Sequence, residues 1–409
     1  MSYRTGATGL TRDLNRAAIL RLIGSAGPIA RTSIAKQLSL SPATVTSITR
    51  ELIESGIVRT ADRAPSRGGR PALLLEIVGR AAHAFGVKIA PDHVVGVVVD
   101  LDGVVITQFE QRLDLAKRDG FDTAVGVLRG WLEHAQATAP LLGVGLGVPG
   151  VVDSSRGAVT SPMIGWRDFP LRDTLQSALG VPVLVDNDVN TLAVFERLYG
   201  RGREVEHFVA LTLGRGVGLG IVANGDIYRG AGGGAGEFGH VTVVPGGPVC
   251  SCGKRGCLEA VVGDPALAAT ARERGIIGKR QGPRALLRKA DAGDPAARAV
   301  YAEAADVLGQ AVAGLVNVLS PESILVSGEG TQAWAHFEEA FERSLRAHLF
   351  PPLRAVAVEV DPWDDATWAV GAASLVLRAT FTPLVNGSQD ELATRAWVRA
   401  DSQPAEVVA

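Results

Sequence analysis

Cysteine is scarce: the 409-residue chain has three, all between Cys250 and Cys257, too few and too clustered for the disulfide framework of a small secreted domain. There is also no apolar run of the roughly 18 residues that a bilayer-crossing helix needs. The stretch from Val94 to Leu101 is interrupted by Gly96 and followed by Asp102. The first residues show no signal-peptide pattern. Together these absences argue against a disulfide scaffold and a membrane partner, and the cysteine usage points to the cytoplasm. What is present, 21% charged and 46% hydrophobic residues, is the balance of a globular protein, and the length predicts two or three domains.

The net charge of -2 conceals a division. Residues 1–80 hold 12 Lys and Arg against 5 Asp and Glu, a net of +7; the remainder holds 29 against 38, a net of -9. A basic head on an acidic body points to a polyanionic partner for the head alone.

The cysteines fall in Cys250-Ser-Cys252-Gly-Lys-Arg-Gly-Cys257, and His240 lies ten residues before the first, in Glu237-Phe-Gly-His240. Three thiolates and one imidazole are a complete tetrahedral donor set for structural Zn2+, with no position left for activating water. A disulfide with one thiol left over is the alternative, although a Cys-x-Cys pair is poorly placed to bridge itself. Glu237 and Glu259 flank the proposed metal. A loop folded by that metal would hold two carboxylates and a histidine in place, as a polyol ligand requires.

In the head, Leu14, Ala17, Ala18 and Leu22 recur at helical spacing until Gly24-Ser-Ala-Gly27-Pro28 stops the helix. A short second helix is expected from Thr32, a usable N-cap, to Leu38. A third is expected from Pro42 to Glu54, capped by Ser41 and ended by Ser55-Gly56. Together with Ser41, its exposed face offers Thr44, Thr46, Ser47 and Arg50, the composition of a recognition helix whose first turns meet base edges in a major groove. Strands at 56–60 and 72–77 flank a glycine-rich loop with Arg63, Arg67 and Arg70, whose guanidinium groups suit a narrow groove. A solvated hairpin loop is the alternative for these arginines. The region resembles the winged helix-turn-helix of bacterial repressors, which implies a double-stranded DNA operator as partner.

Past residue 80, strands and helices alternate. Strands at 83–90, 93–101 and 104–110 read as a meander, followed by a helix over 121–136 and a buried strand over 141–147 that runs into Val148-Pro149-Gly150. A second round has a strand at 183–185, a helix over 189–199, strands at 208–213 and 217–223, a helix over 297–319, a strand at 324–326 and helices over 332–349 and 367–379. Two α/β lobes follow from that alternation.

Leu211-Thr-Leu-Gly-Arg-Gly-Val-Gly-Leu-Gly220, Gly225-Asp-Ile-Tyr-Arg-Gly230, Gly236-Glu-Phe-Gly-His240 and the cysteine cluster resemble the signature stretch of the ROK family, which unites sugar-sensing repressors and sugar kinases. With the winged head, the resemblance covers about residues 10–380. It implies an actin-like (ribonuclease H-like) two-lobed fold. It also implies a monosaccharide effector held by Asp186-Asn187-Asp188, by Glu237 with His240, and by Glu259, with Gly150 of Gly147-Val-Pro-Gly150 offering its backbone. These groups suit hydroxyls, since carboxylates accept, Asn187 donates and accepts, and a metal-bound imidazole keeps one nitrogen free. Taken alone, 186–188 would be a strand-end turn with a helix cap, and 147–150 a turn.

In the family's kinases, the residue matching Asp188 is the base, and the ATP phosphates rest on an Asp-x-Gly-Gly-Thr turn after the first strand. The matching stretch here, Lys88-Ile-Ala-Pro91-Asp92, has neither glycine, no leading aspartate, and a proline that removes a backbone donor. In the second phosphate loop, Gly214-Arg215-Gly216, an arginine replaces a small hydroxyl residue, and Ser327-Gly-Glu-Gly330 resembles the loop that supports adenine. The expected function is a sugar-responsive regulator, a repressor before an activator, that binds a sugar without phosphorylating it and meets an inverted repeat as a homodimer or homotetramer. A sugar kinase with an added DNA-binding domain and a regulator answering to a protein partner are the alternatives. The expected organisation is a head over 1–80, a sugar-binding domain over 81–385 with its zinc motif at 240–257, and a tail over 386–409 with a short helix at 391–398.

Overall fold

The computed structural model describes residues 7–63, 72–136, 139–361 and 364–381, so the expected tail helix, Arg67 and Arg70 lie outside the described residues. The chain divides into two compact units, with crossings at Thr191/Leu192 and Thr367/Trp368.

The first unit opens with α1 (Ala7–Ala26), β1 (Ile29–Ala30), α2 (Arg31–Gln37), α3 (Pro42–Glu54), β2 (Val58–Arg63) and β3 (Leu73–Ile77). Ala17, Leu20 and Ile23 of α1, Ile34 of α2, and Val45, Ile48 and Leu52 of α3 close a small core over Leu75. The three strands pair antiparallel in the order β1-β3-β2, the sheet of a winged helix-turn-helix. Ser41 caps α3 as expected, accepting the Thr44 N–H at 3.1 Å, and Gly56 at φ +75° follows its end. Thr32, by contrast, caps nothing. The chain enters α2 directly from β1, Ala30 takes the cap position without a side-chain bond, and Thr32 lies within the first turn. β2 extends through Arg63, which therefore ends a strand and does not open the loop.

The same unit continues with β4 (His83–Ile89), β5 (His93–Asp100), β6 (Val105–Arg112), α4 (Gly120–Gln136), β7 (Leu141–Val148), β8 (Val151–Asp153), β9 (Ala158–Ser161), β10 (Trp166–Phe169), α5 (Leu171–Leu179), β11 (Val183–Asn187) and the start of α6 (Asp188–Leu198). Its main sheet runs β11-β7-β4-β5-β6, with β4, β5 and β6 an antiparallel meander and β4, β7 and β11 parallel. β4 is buried along its whole length, as a central strand covered on both faces must be, which is why it shows no polar alternation and is apolar apart from His83 and Lys88. The small β8–β10 sheet has strands of three or four residues, too short for alternation to show in the sequence.

The second unit holds β12 (Phe208–Leu213), β13 (Val217–Ala223), β14 (Asp226–Ile227), α7 (Glu259–Val262), α8 (Asp264–Glu273), α9 (Pro283–Asp291), α10 (Pro295–Leu319), β15 (Ser323–Ser327), α11 (Trp334–His348) and β16 (Ala357–Val360). Its sheet, β14-β13-β12-β15-β16, repeats the first: a three-stranded meander, then two strands parallel to its first member. Each unit therefore carries the ribonuclease H-like strand order, around its own hydrophobic core. α12 (Asp365–Phe381) returns the chain to the first unit.

α10 is long and apolar enough, by length and composition, to cross a membrane, although Arg298, Glu303 and Asp306 interrupt its apolar residues. Val300, Tyr301, Leu308, Val312 and Val316 along it are buried in the second unit's core. Its apolar surface is thus that of a core helix.

Candidate functional site

The second unit contains a cysteine-histidine knuckle. After β14 the chain turns at Phe238–His240, then folds back on itself through isolated bridges pairing Thr242 with Cys257 and Val249 with Arg255. Gly256, at φ +73°, sits where any Cβ would overlap the Val244 carbonyl oxygen, so only glycine allows this crossing. The ligand atoms of His240, Cys250, Cys252 and Cys257 all lie within 4.8 Å of one another.

The spacing distinguishes the two readings of the cysteines. Cys252 Sγ and Cys257 Sγ are 3.7 Å apart, and Cys250 Sγ is 3.5 Å from His240 Nδ1. A disulfide requires about 2.05 Å, so that pairing is not formed. A tetrahedral ion with metal–sulfur bonds of about 2.3 Å and a metal–nitrogen bond of about 2.0 Å sets its ligand atoms roughly 3.5–3.8 Å apart, which these distances match. Burial and then the neighbouring Cys252 and Cys250 push the Cys257 thiol up, so a cation among these sulfurs would offset the cost of ionising it. Donor type, number and spacing all fit a metal ion.

The knuckle also positions the flanking polar groups. With His240 Nδ1 turned to Cys250, Nε2 lies 3.7 Å from Glu237 Oε2. Lys254 Nζ donates to the His240 carbonyl at 2.8 Å and holds the residue in place. Glu259, two positions after the last cysteine, begins α7. Its Oε1 accepts from Ser251 Oγ at 3.2 Å and its Oε2 from the Val217 N–H at 3.4 Å, so a residue between two of the clustered cysteines and the first residue of β13 orient it together. Burial raises the Glu237 carboxyl above the usual range; His240 pulls it back and Glu259 adds a smaller push upward.

In the first unit, Gly150, Asn187 and Asp188 gather at the carboxyl ends of parallel strands β7 and β11, where open α/β sheets place ligands. Asn187 is the cap of α6: its Oδ1 accepts the Val189 and Asn190 N–H groups at 2.9 and 3.2 Å, while its Nδ2 donates to the Gly150 carbonyl at 3.0 Å. The cap reading of this stretch is therefore correct, and the same side chain ties the cap to the 147–150 turn. Gly150, at φ +116°, could carry no Cβ without overlapping the Thr160 carbonyl oxygen. Asp188 Oδ1 accepts the Val189 N–H at 3.0 Å. Asp186, 2% exposed, bonds the Asn187 N–H and Asn190 Nδ2 at 2.8 and 3.0 Å, a bracing role.

The stretch that matches the kinases' first phosphate turn is a closed hairpin. The Ala90 N–H donates to the His93 carbonyl at 3.0 Å, and the Pro91 and Asp92 carbonyls accept the Leu115 and Leu113 N–H groups at 3.1 Å. Lys88, 8% exposed, holds its ammonium 4.6 Å from the ring centroid of Trp368 on α12, a cation where the kinases carry an aspartate. Trp368 was not identified from the sequence, because nothing local links it to a strand so far away.

On the head, Thr46 and Arg50 are exposed along α3, while Thr44 and Ser47 are half-buried. Several hydroxyls are engaged within the fold: Thr44 Oγ1 with Ser41 Oγ at 2.8 Å, and Thr46 Oγ1 with the Pro42 carbonyl at 2.7 Å. Arg12 of α1, also missed in the sequence, donates to Ser47 Oγ at 3.3 Å and pairs with Glu51. Arg31 Nε bonds Thr49 Oγ1 at 2.8 Å and fixes α2 against α3.

The ROK family model matches residues 84–379, and the MarR family model matches residues 13–62, over the three head helices. The putative xylose repressor of Caldicellulosiruptor sp. (strain Rt8B.4) is 31% identical over 391 residues, 91% of this chain and 97% of the relative. Among solved structures, a ROK family transcriptional regulator, a homologue of the E. coli MLC protein, aligns with a TM-score of 0.83 at 26% identity, covering 95% of this chain and 99% of that one. A ROK family glucokinase from Streptomyces griseus, solved with glucose and AMPPNP, gives a TM-score of 0.63 at 28% identity over 72% of this chain and 98% of that one. The repressor and the regulator span the head as well as the body, whereas the kinase matches less of the chain; with the family model covering residues 84–379, well over half of the chain, the protein belongs to the ROK family.

Proposed function

We propose that this chain is a cytoplasmic, sugar-responsive DNA-binding repressor that holds a monosaccharide without phosphorylating it. The observation that carries the proposal is a winged helix-turn-helix on a ROK chain whose first phosphate turn is a closed hairpin with a buried lysine in the aspartate position. In this reading His240, Cys250, Cys252 and Cys257 hold a structural Zn2+. Asn187, Asp188, Glu237, His240 and Glu259 bind sugar hydroxyls, with Gly150 setting the turn that Asn187 grips. Asp188 acts as a hydrogen-bond acceptor, because without held phosphates a base has no transfer to assist. A homodimer places two α3 helices on an inverted repeat, and the sugar releases the operator in proportion to how unequally it binds the two conformations.

Two measurements test this reading. A coupled ADP-release assay over hexoses and pentoses with Mg-ATP is expected to show no turnover above background. Turnover that Asp188→Asn abolishes would establish the kinase alternative. On an operator recovered by selection from random duplexes, Arg50→Ala should weaken binding by roughly tenfold or more if the side chain meets a base edge, which is worth about 1–3 kcal/mol. Arg67→Ala with Arg70→Ala should lower affinity and reduce the slope of log affinity against log salt by about two, since each phosphate contact contributes about one. An unchanged slope removes both arginines from the interface.

A further inference from the structure

The turn between β12 and β13, Gly214-Arg215-Gly216, matches the kinases' second phosphate loop, and Ser327-Gly-Glu-Gly330 matches their adenine-supporting loop. In this chain one side chain joins the two. Glu329 Oε1 accepts the Arg215 N–H at 2.9 Å, and its Oε2 lies 2.6 Å from where a Cβ on Gly214 would be, so the carboxylate rests directly on the loop backbone.

The surrounding residues enforce this placement. Gly328, at φ +98°, has no room for a Cβ beside the Leu213 carbonyl oxygen, and a Cβ on Gly330 would be 3.0 Å from Leu213 and 3.1 Å from Gly214 N. The two glycines thus let the β15 loop close onto the end of β12 and deliver the glutamate between them. Thr331 Oγ1 bonds the Gly328 carbonyl at 2.8 Å and closes the loop behind it. From the opposite side, the Asp264 N–H at the start of α8 donates to the Gly214 carbonyl at 2.8 Å. Burial first, and then Glu329, raise the Asp264 carboxyl to about 6, with Arg215 opposing. The Glu329 carboxylate therefore bonds a backbone that in a nucleotide site faces phosphate, with the Asp264 carboxyl close enough to feel its charge.

We propose that Glu329 is a built-in occupant of the second phosphate loop, its carboxylate taking the place of a phosphate oxygen on the Arg215 N–H and excluding polyphosphates from the second unit. A backbone N–H donating to a carboxylate makes a charge-assisted bond, so an incoming anion must displace a partner of its own charge that is covalently tethered in place. It must also approach Asp264. The proposal deepens the non-phosphorylating reading and rests on it for the identity of the loop, but it concerns a different unit from the closed Ala90–His93 hairpin.

The test is calorimetric titration of the full-length protein with inorganic tripolyphosphate and with Mg-AMPPNP, using wild type, Glu329→Ala and Glu329→Gln, and circular dichroism to verify folding. Wild type is expected to bind neither ligand at millimolar concentration. Glu329→Ala, which frees the N–H and removes the charge, is expected to bind tripolyphosphate at least tenfold more tightly than wild type. Glu329→Gln, which keeps an acceptor but loses the charge, should fall between them. Wild type binding as tightly as Glu329→Ala overturns the proposal, as does a folded Glu329→Ala with no gain. If the alanine variant does not fold, the glutamine variant decides: a gain of threefold or more supports the proposal, and none overturns it. Sugar phosphorylation by wild type would sink the regulator reading through a separate assay, whereas this test reads binding alone.

Discussion

Replacing Cys252 with serine is expected to remove the metal, from one ion per chain by mass spectrometry to none, and with it the sugar-induced thermal shift. Cys252 is exposed, so the substitution leaves no cavity and its effect isolates the lost ligand. The segment has little else to fold around. Val241 and Val249 are 49% and 65% exposed, and its buried apolar residues are few: Phe238, Cys250, Cys257 and Leu258. Structural zinc contributes roughly 10–16 kcal/mol of apparent binding energy in zinc-finger peptides, far more than those side chains can supply. The second unit has its own core around Val209, Leu308 and Phe341, so the loss should stay local. The knuckle opens while the sheet persists, which makes unfolding broader and less cooperative, with a first transition at lower temperature. Because Ser251 is one of two donors to Glu259, the other being the Val217 N–H of the sheet, and His240 lies beside Glu237, the polar site should weaken with the knuckle. Chelation of wild type should reproduce both effects, and zinc addition should reverse them. A Cys252→Ser protein that keeps stoichiometric metal, or an undiminished sugar shift in a metal-free protein, would show that the cluster does not support the site.

The parts of the molecule that could be read in advance are those whose causes are local in sequence. The His240, Cys250, Cys252 and Cys257 side chains that gather into one cluster able to hold a metal span only eighteen positions, and the Ser41 cap and Pro42 are adjacent, so residue type and cap chemistry suffice to bring them together. Strands β12 and β13 were also placed residue for residue, because each is a buried run bounded by glycine or polar turns. What escaped were contacts closed by tertiary structure. Lys88 meets Trp368, and Arg215 meets Glu329, 114 positions apart, and neither pair has a spacing that a periodicity or motif could detect. Thr32 does not cap α2 because a hydroxyl before a helical pattern is only a candidate cap; the strand at Ile29–Ala30 sets the true entry. Asn187 lay between two readings that turned out to be compatible: it caps α6 and grips Gly150 at once, and only the distances show both.

The glycines of the first sheet were likewise visible in the sequence, but not the reason for them, and Gly145→Ala is the strongest test of that reason. Gly86 of β4 and Gly145 of β7 are register partners, lying side by side at the centre of the sheet. A Cβ on Gly86 would overlap the Ala369 carbonyl oxygen, and one on Gly145 would overlap that of Ala372, both on α12. The helix therefore lies on the sheet with backbone against backbone, and small residues, Ala369, Ala372 and Ala373, complete the contact. The added methyl has no rotamer to relieve the overlap, so either the helix lifts or the strands part. Overpacking of this kind costs typically 1–3 kcal/mol when side chains can yield, and more when backbone must move, so a loss of about 3 kcal/mol or more is expected. In a unit of this size that corresponds to a fall in melting temperature of roughly 6–12 °C. Gly126→Ala, on an exposed turn of α4 with nothing within 4 Å of its new Cβ, is the matched control and should instead stabilise by up to about 1 kcal/mol. α12 also carries Trp368 beneath Lys88, so lifting it strips the buried ammonium of its ring partner and adds to the loss. A Gly145→Ala protein that melts with wild type would mean that α12 does not rest on β7, and would remove the support on which the Lys88 substitution depends.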